Sequence, residues 1–291
     1  MEADLWLPGY IIFTDQHSIK TTNGAHEKVI AGDPTHSSYL EHVGKSSRFS
    51  WIHGFTQISK NYMIVADRDN YCLRRIVRRT LQTFPFSGKC KRAGYSDGSG
   101  RDGLFGRVFA VMLDAINKRQ MFVTDHDNQA LRTVDTRHGD VSTFVRASSL
   151  INIRFMTQDV NSGDVYVTTS YRRICQINYR RKTVRQIATA GSSIPSELLV
   201  VSRNTLLVAF ESSHTVGLLD DITSNMPFFT GNICPKCFDT PHALLDTNGS
   251  LFVGQNKAIK RFSCELKLYS GFPLIHMPLI VCPCLLSALL L

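Results

Sequence analysis

Carboxylates recur at a fixed spacing in this chain. Asp67 stands three residues before Asn70, and Asp125 three before Asn128. Both pairs lie in near-copies, Met63-Ile64-Val65-Ala66-Asp67-Arg68-Asp69-Asn70 and Met121-Phe122-Val123-Thr124-Asp125-His126-Asp127-Asn128, which run on to Leu73-Arg74 and Leu131-Arg132. Acids repeated in this way could line a rim and contact a ligand. The same residues also close tight turns: Asp accepts hydrogen bonds from backbone N–H groups two residues on, and Asn tolerates left-handed backbone. Turn chemistry is the expected main role, with Asp67, Asn70, Asp125 and Asn128 as the candidate rim.

Other motifs are weaker. Gly98-Ser99-Gly100-Arg101-Asp102-Gly103 spells Gly-x-Gly-x-x-Gly, but a dinucleotide site needs that turn between a buried strand and a long helix. Lys89 to Gly94 is no such strand, and no cofactor is expected. Cys234-Pro235-Lys236-Cys237 spells Cys-x-x-Cys. Zinc would need two more ligands, for which Cys264 and His242 are available. A loop disulfide, local or to Cys264, is the preferred reading, and no metal is expected. Cys72 begins one strand and Cys90 follows the next, so an antiparallel hairpin would bring them together. A disulfide there would stabilise by about 3 kcal/mol in the chain-entropy model; two free thiols are the alternative. Ten histidines are scattered singly, with neither H-E-x-x-H nor G-x-S-x-G. No catalytic residue emerges, and the chain is read as a non-enzyme. His17, His126 and His242 lie near strand ends.

The formal net charge is +9, which could meet nucleic acid, anionic lipid or an acidic protein. The basic runs are Arg74-Arg75 to Arg78-Arg79 and Arg172-Arg173 to Arg180-Arg181-Lys182. Adjacent strand residues face opposite sides, so such a run forms no single stripe. The pairs Arg78/Arg79 and Arg180/Arg181 fall at hairpin turns, where solvated charge is expected. Arg172, Arg173, Arg180 and Arg181, beside Tyr171 and Tyr179, form the candidate basic patch. Asn248-Gly249-Ser250 is both a glycosylation sequon and a hairpin turn.

The elements that must position these residues are strands. Thr, Val, Ile, Phe and Tyr cluster in short alternating runs with no long amphipathic helical pattern, which favours an all-β chain. A strand ending in a small or acidic residue recurs near residues 10–15, 63–67, 121–125, 165–169, 206–210 and 251–255. Spacings of 52, 58, 44, 41 and 45 residues between these strand ends suit a four-stranded propeller blade. The first copy lacks a leading strand of its own, and the stretch 272–281 could supply it from the other end. One domain over 1–281 is expected: a six-bladed β-propeller closed by a C-terminal strand, which leaves no exposed sheet edge at the junction.

Between the two near-copies lie Gly94, Asp97, Gly98 and Phe105, followed by Val123, Asp125, Asn128, Leu131, Arg132, Val141 and Thr143. This pattern resembles that of the NHL-repeat β-propellers. The match is strong over about residues 48–145; Thr169, Phe210 and Gln255 depart from the Asp. The Asn-Tyr-Cys-Leu-Arg and Gly-Lys-Cys stretches resemble extracellular animal members. The resemblance implies a non-enzymatic extracellular scaffold presenting loops to a protein or glycan partner. It leaves two alternatives: an intracellular module binding single-stranded RNA through a basic face, and a metal-dependent propeller lyase or hydrolase.

Eight cysteines are many for a reducing compartment. Residues 1–20 do not read as a signal peptide, because Glu2 and Asp4 are acidic and Pro8-Gly9 breaks the apolar run. A fragment or an alternative product of a longer gene is therefore expected, at an extracellular or cell-surface location. The tail, Pro273 to Leu291, carries no charge and is nearly the length of a bilayer span. Pro278 and Pro283 disfavour a regular helix there. A closing strand, a membrane anchor and a truncation or splicing artefact remain open for it.

Overall fold

The computed structural model describes residues 1–222 with their side chains, apart from Trp6, Ser192, Glu211 and Asp221, and beyond residue 222 the backbone of five strands. Strands β1 (Glu2–Ala3), β2 (Ile11–Asp15), β3 (Ser18–Thr22) and β4 (Glu27–Gly32) pair in chain order as an antiparallel sheet. The order recurs in β5 (Ile52–Ser59), β6 (Tyr62–Asp67), β7 (Cys72–Val77) and β8 (Gln82–Ser87). The third sheet is β9 (Val108–Leu113), β10 (Gln120–Asp125), β11 (Ala130–Asp135) and β12 (Val141–Arg146). The fourth is β13 (Met156–Gln158), β14 (Val165–Thr168), β15 (Arg173–Ile177) and β16 (Val184–Thr189), and the fifth β17 (Pro195–Ser202), β18 (Thr205–Phe210), β19 (Thr215–Asp220) and β20 (Phe228–Ile233). These five blades, where six were expected, define an all-β propeller. A last antiparallel set follows: β21 (Ala243–Thr247), β22 (Ser250–Gln255), β23 (Ala258–Ser263) and β24 (Leu286–Leu290).

The first strand of each blade is innermost. Strand β5 packs against β9, β9 against β13, β13 against β17 and β17 against β21, while β1 lies beside β21. The second strands are the driest. Met63, Ile64, Val65 and Ala66 in β6 and Met121, Phe122 and Val123 in β10 are fully buried. They read as apolar runs because both faces of a blade are covered by its neighbours. The core therefore sits between blades: Ile64, Leu73 and Phe86 of the second meet Phe105, Val108 and Met121 of the third. Inner strands approach closely at Gly54, where a Cβ would stand 2.8 Å from the Ala110 Cα. No side chain fits there.

The first blade is completed differently from the expectation. Its leading strand is Glu2–Ala3, paired with Ile12 and Ile11, and not a strand from 272–281. Local chemistry ties it down: Asp4 donates its N–H to Tyr10 O, and its carboxylate takes both contacts from Arg78 Nη2 at 2.8 Å. Gln57 Nε2 donates to Ala3 O at 2.8 Å. The stretch 272–281 lies outside the described residues, as do Pro273 to Cys284 of the tail, and Leu286–Leu290 pairs with β23. Among the described residues no helix is long and apolar enough to cross a membrane.

Two long segments, 33–51 and 88–107, join the first three blades and wrap the outer edges of β8 and β12. Thr83 donates to His42 O, and Gly44 to Leu81 O. Val141 and Gly98 exchange backbone bonds at 2.8 and 3.1 Å. Outer strands that would otherwise present bare N–H and C=O rows are thereby capped. Phe105, fully buried at the root of the second segment, should be decisive: Phe105→Ala is expected to lower stability by about 3–5 kcal/mol, measured by urea denaturation.

Candidate binding face

The repeated Asp and Asn do not form an open rim. Asp67 and Asp125 are fully buried, and each receives a backbone N–H from the preceding segment: Ser50 at 2.7 Å and Gly106 at 3.0 Å. Asn70 Nδ2 spans both Asp67 oxygens at 2.9 Å and also donates to Ser38 O. Asn128 Nδ2 does the same to Asp125 and to Gly94 O. Behind each carboxylate stands a fully buried arginine, Arg74 at 3.3 Å and Arg132 at 2.9 Å. Arg74 further donates to Leu40 O and Arg48 O. Arg132 donates to Ser96 O, Leu104 O and Asp97. Each guanidinium lies between two rings, Tyr39 and Phe49 for Arg74, Tyr95 and Phe105 for Arg132, at 4.6–5.3 Å.

The result is a lock, built twice, that pins an inter-blade segment onto its blade. Burial pushes the Asp67 carboxyl up to about 6, against the pull of Arg74, the Ser50 N–H and Asn70. Burial raises Asp125 in the same way, opposed by Asn128 and Arg132. The second copy has no room for a side chain at Gly106, where a Cβ would lie 2.7 Å from Asp127 Cβ and 3.0 Å from Asp125 Oδ1. The expectation of a solvated arginine at the hairpin turn fails at Arg78, and Arg74 of the same basic run is wholly buried. Arg78, in the turn after β7, anchors Asp4 of the first blade, while Arg74 within β7 closes a lock.

Beside the locks, on the face that carries the β2–β3, β6–β7 and β10–β11 turns, lies a packed cluster in which Phe109 and His126 are buried, His53, Arg68, Arg154 and Phe155 half-buried, and Trp51 exposed at the rim. Phe109 is its centre. His53 stacks on one side of it at 4.6 Å and His126 on the other, also at 4.6 Å. Arg68 stands 4.7 Å over the ring and Arg154 5.7 Å. Phe155 meets His53 edge-on at 6.2 Å. Trp51, 37% exposed, holds a left-handed φ of 64°. Its N–H donates to His17 Nδ1 at 3.0 Å, which fixes that nitrogen as an acceptor. Arg68 Nη1 lies 3.4 Å from His53 Nε2, and because a guanidinium only donates, that nitrogen also accepts.

Beside the rings, Arg107 grips the Asp127 carboxylate through Nε and Nη2 at 2.7–3.1 Å, and His126 Nδ1 reaches the same group at 2.9 Å. Although burial opposes it, these bonds bring Asp127 down to about 2. Burial lowers His126 and His17 despite nearby carboxylates. The face thus combines neutral imidazoles, aromatic rings and guanidiniums, groups suited to stacking and to charge-assisted hydrogen bonds. His17 and His126 were visible as strand-end residues. His53, Phe109 and the adjacent pair Arg154-Phe155 come from three successive blades, so no linear spacing unites them.

The remaining sequence candidates fall apart in space. Cys72 and Cys90 form a disulfide with a Cα–Cα distance of 5.0 Å. Arg172 and Arg173 sit at the start of β15, and Arg180 and Arg181 in the turn after it. Those turns lie at opposite ends of the blade, roughly 13 Å of strand apart at 3.3 Å per residue. The four therefore make two basic ends and no single face. Cys234, Cys237, His242, Asn248 and Cys264 lie outside the described residues. Among the described residues no group of three or more His, Cys, Asp or Glu side chains could hold a metal ion.

No family description matches the sequence, and no curated protein is similar to it at the sequence level. Solved structures do match in fold. A chain of the nidogen/laminin complex superposes with a TM-score of 0.64 at 13% identity, over 87% of this chain and 89% of that one. Virginiamycin B lyase from Staphylococcus aureus gives 0.58 at 11%, over 84% and 73%. An auxiliary nutrient binding protein from Bacteroides thetaiotaomicron gives 0.58 at 10%, over 86% and 69%. At such identities the likeness concerns the fold, and the chain is a β-propeller.

Two outcomes are expected. Arg132→Ala leaves the Asp125 carboxyl buried without its cation and should cost about 3–5 kcal/mol; the added Asp125→Ala change should recover part of that loss in a double-mutant cycle. For His126 the folded pKa lies below the unfolded one. Its stabilising contribution is present above the unfolded value and is lost as pH falls through that value toward the folded one. His126→Phe should therefore flatten the fall in stability between pH 7 and 5, read by denaturation at both pH values.

Proposed function

We propose that the chain is a non-enzymatic, extracellular binding propeller of the NHL type that offers the Trp51–Phe109 face to a protein or glycan partner. The observation that carries the reading is this cluster of rings and guanidiniums on one rigid face. Aromatic residues and Arg dominate the energetics of protein interfaces, and here both are held in place by stacking and by the locked segments beside them. The Cys72–Cys90 disulfide supports an oxidising compartment. The nidogen/laminin complex, in which a similar fold occurs, supports the use of such a fold in partner recognition.

The test is retention of extracellular-matrix protein or glycan on the immobilised chain. The paired change Trp51→Ala and Arg107→Glu should abolish retention while leaving thermal unfolding within a few degrees. Unchanged retention by that folded variant would overturn the reading. Reduction followed by alkylation should add mass at Cys72 and Cys90 only after reductant is supplied.

A further inference from the structure

The outer strand of the fourth blade is the exception to the edge capping seen in the two blades before it. Bulges fall at the same place in three blades, between Leu73 and Arg74, Leu131 and Arg132, and Ile174 and Cys175. Pro85, Thr143 and Gln186 are therefore equivalent, and so are Thr83, Val141 and Val184. In the second blade Thr83 N–H is bound by His42 O, and Pro85 has no N–H. In the third, Val141 is paired with Gly98, and Thr143 N–H reaches the Asp97 carboxylate at 3.1 Å. Val184 and Gln186 direct the same groups outward, and among the described residues no segment pairs with them. The connection preceding this blade, 147–155, is too short to wrap its edge. The stretch that caps the two earlier blades has no counterpart here.

Charge says what would fit. From Val165 to Ser196 the chain has no Asp or Glu and six cations: Arg172, Arg173, Arg180, Arg181, Lys182 and Arg185. The first two lie beside the end of β16 and the next three beside its start. A cleft of about 180 Å³ opens where β16 begins, lined by Gln176, Asn178, Arg181, Thr183 and Arg185. Gln176 and Asn178 donate their side-chain amides to the Asp164 carboxylate, and Arg185 is held by Gln176 and Ile222 O, so the exposed Arg181 guanidinium is the cation the cleft presents to solvent. In the first blade the equivalent edge presents Glu27, ion-paired to Lys20 at 2.8 Å, a carboxylate that would repel an acidic strand.

We propose that β16 is a strand-addition edge for an extended acidic segment of a partner protein. Backbone groups of that segment pair with Val184 and Gln186, and a carboxylate enters the Arg181 cleft. This names the partner chemistry within the binding function proposed above and rests on it, but it uses a different surface. The probe is a short synthetic peptide alternating Glu with Val and Thr, followed by fluorescence anisotropy. Gln186→Pro removes one outward N–H and should fold, because β8 carries Pro85 at the same position. It is expected to weaken binding by about tenfold, the equivalent of one good hydrogen bond. Arg181→Glu, or replacing the peptide's Glu by Gln, should weaken it at least as much, and bound peptide should slow amide exchange at Val184 and Gln186.

Absence of peptide binding, or binding indifferent to Gln186→Pro, would overturn strand addition. So would a short single-stranded RNA that binds the same arginines while the peptide does not. The Trp51→Ala, Arg107→Glu variant separates the two readings. If it still loses its matrix partner while the peptide fails, strand addition alone falls. If it keeps that partner, the Trp51–Phe109 face is excluded.

Discussion

A carboxylate buried between an amide and a guanidinium ties the segments beside the Trp51–Phe109 face to their blades. Such a group is costly to desolvate and persists only when every oxygen is answered. Asp67 and Asp125 are answered from a backbone N–H, an Asn and an Arg, and each Arg in turn reaches carbonyls on the segment before its blade. The ion pair therefore works as a clamp between distant stretches of chain. Segments 33–51 and 88–107 also make backbone bonds of their own, Leu40 with Arg48 and Ser96 with Leu104, and the clamp ties these folded segments to the blades that follow them.

The clamps also explain how a polar cluster can be rigid at a surface. Phe109 is buried on an inner strand, and two imidazoles and two guanidiniums pack around it. Imidazoles held as neutral hydrogen-bond partners add no like charge to the arginines beside them. Because the side chains are ordered before any partner arrives, binding would cost little conformational entropy. The edge chemistry follows from the same segments. Where a long connection precedes a blade, its outer strand is capped; where the connection shortens, as before β13, the edge remains available.

Much of the fold was legible in the primary structure. The spacing of strand ends points to four-stranded units, and Cys72 with Cys90 was readable as a pair closing a hairpin. The leading strand of the first blade was not legible, since Glu2–Ala3 is too short to show a pattern and is held by Arg78 and Gln57 from another blade. The site was legible only in part. Asp67, Asn70, Asp125 and Asn128 stood out by repetition, but repetition marks a structural need as readily as a binding one.

What the sequence determined alone is the local grammar: where strands end, which residues turn the chain, and that Asp, Asn and Arg recur in register. These depend on side-chain type and on periodicity along one segment. Only the tertiary structure decided which of them face water. Arg74 and Arg75 are neighbours, yet one is wholly buried and the other is not, because alternate strand residues meet different blades. Only the packing of neighbouring blades brings His53, Phe109 and His126 into one stack. The same packing sends Arg172 and Arg180 to opposite ends of β15, since distance in a sheet is set by pairing and not by position in the chain.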